Sequence, residues 1–261
     1  MIKKELRIFF TALMFLTRIP VPRFTDHSQD YLEKAARYFP LAGGIVGAIS
    51  AGVFFLFNLF AGMDIAILAS IIAGIFTTGA FHEDGFADVC DAFGGGWTKE
   101  KILLIMKDSR LGTYGVIGVT SVLAAKFLLL RQLLVTDSLQ VLWLLLAAHM
   151  LSRLMGVFTI ALFDYVTDQD TSKSKPVTAR KPTAGMLVTA TITALLPFTG
   201  LHWYYLLCIV PVLLVSYRMA RYFKKWIGGY TGDCLGAIQQ VSELTFYLCV
   251  IVAGRYLPPL L

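Results

Sequence analysis

The sequence predicts an all-α fold: a polytopic membrane helical bundle of about seven transmembrane helices with further helices lying at the interface. Three observations predict it. Of the 261 residues 57% are hydrophobic and only 15% charged, far from the balance of a soluble domain. Mean hydropathy is +0.69, and the apolar residues fall in runs of bilayer length. The Lys and Arg residues are one-sided as well: segments 1–40, 81–115, 164–184 and 218–232 carry 19 of the 23, and only Arg131 and Arg255 fall on the other side. By the positive-inside rule this predicts an inside N-terminus and an outside C-terminus.

The net charge of +6 is explained by those basic loops and points to the lipid bilayer as the partner, with no nucleic acid. Cys90, Cys208, Cys234 and Cys249 form no CxxC pair, which excludes a zinc ribbon or a disulfide framework. No second hydrophobic pattern or linker divides the chain, so one domain over residues 1–261 is expected.

In chain order, residues 1–20 form an amphipathic surface helix without a signal-peptide cleavage site, broken by Pro20 and Pro22. Gln29–Phe39 reads as a short helix ended by Pro40. Leu41–Phe60 and Ile65–Ala80 are the first two spans, an antiparallel hairpin in which Gly43, Gly44 and Gly47 offer a face for close helix packing. Val116–Leu130 is the third span, with Lys126 placed to snorkel to the headgroups. Leu139–Phe163 is the fourth and carries His149 and Arg153 on one face. Ionisable groups in a span face a partner or a cavity, so Arg153 is either a contact within the bundle or a group holding an anionic substrate. The polar loop Asp164–Ala184 connects the halves or closes over a substrate. Gly185–Gly200, Trp203–Tyr217 and Val241–Leu260 complete the seven.

The chemistry concentrates in Phe81–Tyr114, which holds six of the seventeen acidic residues. On a helix starting near His82, Asp84, Asp88 and Asp91 fall at i, i+4 and i+7, within about 60° of one another. Two such carboxylates about 6 Å apart repel by roughly 3 kcal/mol at an effective dielectric near 20. Such a face asks for a cation, and aspartate oxygens favour Mg²⁺ or Mn²⁺. Glu83 points off this face and is placed to act from behind it. Gly94-Gly95-Gly96 follows, where backbone can approach a ligand. Lys107, Asp108, Ser109 and Arg110 then supply two cations, a carboxylate and a hydroxyl. A carboxylate-bound metal beside Lys and Arg is the equipment of phosphoryl transfer. The plain alternative is a solvated loop between membrane helices, which explains scattered acids and not this arrangement. Further on, Gly232 and Asp233 open a helix whose stripe Asp233, Gly236, Gln240 and Glu243 suggests a second ligand site.

These residues resemble one family. HEDGFADVCDAFGGG followed by IMKDSRLGTYG is similar to the adenosylcobinamide-GDP ribazoletransferases, or cobalamin synthases. TRIPVP at Thr17–Pro22, ARYFPLAGG at Ala36–Gly44 and GGYTGDCLGA at Gly228–Ala237 extend the resemblance over essentially the whole chain. The position after the histidine varies in that family between an acid and an aliphatic residue, which leaves open whether Glu83 joins the metal. The resemblance implies joining of adenosylcobinamide-GDP to α-ribazole or its 5'-phosphate at a bacterial cytoplasmic membrane, with release of GMP. It draws Arg18 and Arg37 toward a ligand role. On this reading Asp84, Asp88 and Asp91 hold Mg²⁺ with Glu83 behind them, Lys107 and Arg110 hold phosphate oxygens, and His82 or Asp108 accepts the hydroxyl proton. Gly94, Gly95, Ser109, Arg153, Gly232 and Asp233 complete the substrate site. A homo-oligomer is compatible with this reading. Two other readings compete. A CDP-alcohol phosphotransferase has an Asp-Gly-x-x-Ala-Arg signature, whereas Phe86-Ala87-Asp88 follows Asp84-Gly85 here. A transporter or scaffold would carry its charges at the midplane, whereas the richest charge here lies in a surface segment.

Overall fold

A computed structural model describes residues 2–26, 28–133, 138–166 and 180–257. The helices are α1 (Ile2–Leu16), α2 (Gln29–Ala35), α3 (Phe39–Asn58), α4 (Met63–Thr78), α5 (Phe81–Gly95), α6 (Lys99–Met106), α7 (Thr113–Leu133), α8 (Ser138–Leu162), α9 (Ala184–Leu195), α10 (Ile209–Ile227) and α11 (Gly232–Tyr256). Among the described residues there is no strand, only an isolated bridge between Tyr165 and Tyr230. The chain is a multi-pass membrane helical bundle.

Five stretches are long and apolar enough to cross a bilayer: Gln29–Asn58, Thr113–Leu133, Gln140–Leu162, Trp203–Ile227 and Gly232–Tyr256. The expected second span, α4, qualifies only together with α5, across a bend of 88°. The expected fifth is the shorter apolar stretch Ala184–Gly200, an α-helix that tightens into a 3₁₀ turn at Pro197. Pro40 does not end the preceding helix as expected. It sits in the first turn of α3, where its missing N–H costs nothing, and the chain runs through.

The core lies where α3, α8 and α11 meet. Helix α8 buries Leu144, Leu145, Ala147, Ala148, Leu151 and Met155, residues from nearly every direction around its axis. Helix α3 lies against it through the expected glycine face: a Cβ on Gly47 would come within 3.1 Å of the Leu145 carbonyl oxygen. Lys126 corrects the sequence reading. It does not reach the headgroups but is buried, with Nζ 3.2 Å from Oε1 of Glu243 on α11. A neutralising partner inside the bundle replaces snorkelling.

The bend that launches α5 is built from two left-handed residues in succession, Gly79 (φ 67°) and Ala80 (φ 59°). The segment after α1 docks on it: the Arg18 N–H donates to the Thr77 carbonyl at 2.7 Å, and the Arg18 side chain lies where a Cβ on Gly79 would stand. The expected loop closure over Asp164–Ala184 falls largely on residues 167–179, and the last residues of the expected seventh span also lie outside the described residues.

Candidate active site

Helix α5 lies across the start of α11. Gly85 and Gly236 make the crossing close: a Cβ on Gly85 would lie 2.9 Å from the Asp233 Cα, and one on Gly236 would lie 3.1 Å from the His82 carbonyl oxygen. Glycine at both positions lets the two backbones touch. The crossing brings Asp233 to the aspartates of α5. Asp88, half-buried, feels the charges of Asp233, Asp84 and Asp91, and Asp233 in turn feels Asp84. The expected second site at Gly232 and Asp233 is thus part of the first. Thr231 begins α11 by accepting a hydrogen bond from the Cys234 N–H at 3.4 Å.

Asp91 shares a face with Asp84 and Asp88 but has another occupation. One carboxylate oxygen accepts from the Gly112 N–H at 2.7 Å, the other from the Gly115 N–H at 2.8 Å. It caps the first turn of α7, where a negative charge also suits the helix dipole. Side chains at Gly112 and Gly115 would collide with this carboxylate. Asp91 therefore ties the segment 107–112 to α5.

That segment follows α6, whose cap Thr98 accepts from the Lys101 N–H at 3.3 Å. Asp108 and Arg110 pair within it, with Nη2 to Oδ2 at 2.6 Å and Nε to Oδ1 at 3.0 Å. The guanidinium holds the Asp108 carboxyl down at about 2. Lys107, Ser109 and Arg110 are exposed, the Arg110 side chain at 88%. Gly94 has a packing reason, since the Tyr114 ring lies where its Cβ would be, and Gly95 faces Ile105 at 3.4 Å.

The remaining expected residues are dispersed. Arg18 is exposed beside the bend. Arg37 pairs with Glu5 of α1 at 3.3 Å. His82, Glu83 and Arg153 face the interior and are 5%, 9% and 4% exposed. Arg153 donates to the His149 carbonyl at 2.9 Å, and Glu83 accepts from Gln240 Nε2 at 2.9 Å. Sequence reasoning had Glu243 on the α11 stripe and missed that it is the centre of the interior polar cluster. The available signal was a Lys and a Glu each alone in an apolar span, which need one another.

Among the described residues no three His, Cys, Asp or Glu side chains converge closely enough to hold a metal ion between them. The donor set still fits a hard cation. Asp84, Asp88 and Asp233 offer only oxygen, and beyond its burial Asp88 bears the negative charge of Asp233 and Asp84 beside it. Mg²⁺ commonly takes one or two carboxylates and fills its shell with phosphate and water, so a preformed cage is not required.

The family model described as cobalamin-5-phosphate synthase matches residues 8–251. Curated relatives named adenosylcobinamide-GDP ribazoletransferase are similar throughout. The one from Shewanella frigidimarina is 44% identical over 253 residues, 96% of each chain. Those from Shewanella halifaxensis and Shewanella oneidensis are 44% and 40% identical, over 97% of each chain. No solved structure matches.

Proposed function

The chain belongs to the cobalamin-5-phosphate synthase family, and we infer that it joins adenosylcobinamide-GDP to α-ribazole or its 5'-phosphate, yielding adenosylcobalamin or its 5'-phosphate and GMP. It is a membrane-bound transferase of the last steps of cobalamin biosynthesis. A ribose hydroxyl attacks the phosphorus that carries the cobinamide, that P–O bond forms, and the bond to GMP breaks. The hydroxyl proton leaves to an acceptor. Transfer of this kind has a loose transition state, so positioning and charge neutralisation carry most of the catalysis.

The observation that carries the reading is the close crossing of α5 and α11, which sets Asp84, Asp88 and Asp233 within reach of one another's charge, together with a Lys-Arg segment that Asp91 fastens to α5. In this proposal Asp84, Asp88 and Asp233 hold Mg²⁺. The ion would neutralise the pyrophosphate and the departing GMP. Asp91 is left to its cap, a revision of the three-aspartate face. Lys107 and Arg110 bind phosphate oxygens, and a phosphate competes with Asp108 for the Arg110 fork. Ser109, Arg18 and Gly232 are exposed near these elements and suit contacts to the rest of the substrate. Of the two proton acceptors proposed, Asp108 has the access and His82 is enclosed. Arg153 supports the interior and not a phosphate contact. The basic bias of residues 1–40, 81–115, 164–184 and 218–232 supports a site facing the cytoplasm from the cytoplasmic membrane. The site is built within one copy of the chain, and a homo-oligomer would not need to complete it.

The test is an assay of the purified protein with adenosylcobinamide-GDP, α-ribazole and Mg²⁺. GMP release matched to corrinoid product is expected and should vanish with chelator. No product with both substrates, or release of CMP from a CDP-alcohol instead, would overturn the reading.

A further inference from the structure

Helices α8 and α10 both pack on α11, and a groove of about 290 Å³ runs between them. Phe158, Leu162 and Phe163 of α8 form one wall, and Leu213, Leu214 and Tyr217 of α10 the other. Two hydroxyls also line it, and both are turned onto their own helices. Thr159 donates to the Met155 carbonyl at 2.9 Å and Ser216 to the Val212 carbonyl at 2.7 Å. The groove therefore presents carbon. Leu162 and Leu214 on its walls are 63% and 58% exposed. Both walls belong to stretches of bilayer length, so these side chains meet lipid.

One end of the groove is charged. Arg221 Nη1 donates to the Tyr217 hydroxyl at 3.4 Å, and its guanidinium lies 5.9 Å from the centre of that ring. The same ring meets Phe163 of α8 at 6.0 Å, so Arg221 stands where the two walls come together. Lys225 follows one turn on along the same stripe. Helix α10 contains no acid. Asp164, which follows the α8 wall, is taken by Lys181 at 2.9 Å. Arg221 and Lys225 are exposed and, among the described residues, have no ion-pair partner. Helix length gives their depth. The chain rises about 2.0 Å per residue over the 3₁₀ stretch Trp203–Cys208 and about 1.5 Å per residue along α10, which sets Arg221 roughly 30 Å from Trp203. That is one hydrocarbon thickness, with the exposed Trp203 at one interface and Arg221 and Tyr222 at the other.

We propose that this groove binds one anionic phospholipid, with an acyl chain between α8 and α10 and its phosphate on Arg221, Lys225 standing beyond it. The walls call for hydrocarbon, and the charge at their end decides the headgroup. A guanidinium offers phosphate oxygens a planar fork, and Tyr217 occupies only one of its N–H groups. An anionic lipid neutralises two cations that the chain itself leaves uncompensated. A zwitterionic lipid brings a cation of its own to the same place and gains less. A second copy of the chain seated here about a two-fold axis would set Arg221 against Arg221, and like charges oppose that contact. The inference goes beyond the transfer reaction and rests on the membrane bundle alone.

The test is native mass spectrometry of the full-length protein released from nanodiscs of equal dioleoylphosphatidylglycerol and dioleoylphosphatidylcholine. Protein carrying one phosphatidylglycerol should outnumber protein carrying one phosphatidylcholine about fivefold, the effect of one well-placed cation. Arg221→Gln should bring the two lipids to parity. Lys3→Gln removes the same charge from the exposed face of α1 and should leave the preference intact. Equal retention by wild type, a preference that survives Arg221→Gln, or an equal loss in Lys3→Gln would overturn the site. A second arm separates the lipid from its headgroup. Glycerol 3-phosphate and dihexanoylphosphatidylglycerol should fail to displace the retained lipid, and displacement by either at equal concentration would show a phosphate site that does not use the groove. Melting in detergent gives an independent reading. Phosphatidylglycerol about fivefold above its dissociation constant should raise the melting temperature by roughly 2–4 °C over phosphatidylcholine, and Arg221→Gln should erase the difference. No difference in wild type would refute the proposal, and none of these readings depends on the transfer assay.

Discussion

Asp84, Asp88 and Asp91 are the same residue on one face of one helix, and their surroundings give them opposite energetics. Asp84 and Asp88 are repelled by each other and by Asp233. Asp91 is held by two backbone N–H groups. Asp84→Asn and Asp88→Asn should therefore abolish most turnover and raise the melting temperature without metal, since a like charge is gone. Asp91→Ala should lower stability by about 1–2 kcal/mol through loss of a cap. Melting of the three variants in chelator checks this, and equal shifts for all three would refute the division. Arg110→Lys should lose activity because its planar fork is gone; wild-type rates would remove Arg110 from the site. The Asp108 carboxyl, depressed from 3.8 to about 2 by Arg110, keeps its pair with Arg110 at all pH values above that range and loses it only as pH falls through about 2. Asp108→Asn should thus leave the acid limb of the pH–rate profile between about pH 5 and 8 in place. A moved limb would identify Asp108 as the titrating group.

At the scale of elements, the joint between α4 and α5 and the pair between α7 and α11 carry the arrangement. Ala80 is the sole non-glycine residue with positive φ among the described residues. An alanine there costs roughly 1–2 kcal/mol relative to ordinary backbone, and a β-branched residue more. Ala80→Gly should match or exceed wild-type stability, while Ala80→Val should lower both melting temperature and turnover. Wild-type behaviour of Ala80→Val would mean that the bend is not needed. The Lys126–Glu243 pair predicts strong coupling. Glu243→Leu alone leaves a buried ammonium and should cost about 3–5 kcal/mol, whereas Lys126→Met with Glu243→Leu should recover most of it. A double-mutant melting series in detergent measures the coupling; additive losses would show that the two side chains act separately.

For the molecule as a whole, the open point is the short stretch Ala184–Gly200. If it crosses the bilayer, three crossings separate Ala184 from Leu257 and the two lie on opposite sides. If it does not, two crossings separate them and the sides agree. The basic segments assign Ala184 to the inside and the chain's end to the outside. Reporter fusions after Ala184 and after Leu257 should give opposite signals, and matching signals would reduce the bundle by one span.

The sequence by itself determined whatever follows from local order. Hydropathy runs determined a membrane bundle, the spacing of Asp84, Asp88 and Asp91 determined a shared helical face, and Gly232 and Asp233 marked a helix start that the structure reproduces. Four ordered motifs determined the family. The tertiary structure alone decided partnerships between residues distant in the chain. It committed Asp91, on the same face as Asp84 and Asp88, to the cap of α7, brought Asp233 to α5 through two glycines, and joined Lys126 to Glu243. It also turned His82 and Glu83 inward. The physical reason is that helical periodicity states which residues share a face, whereas the direction each face takes depends on burial and charge pairing summed over all the helices packed against it.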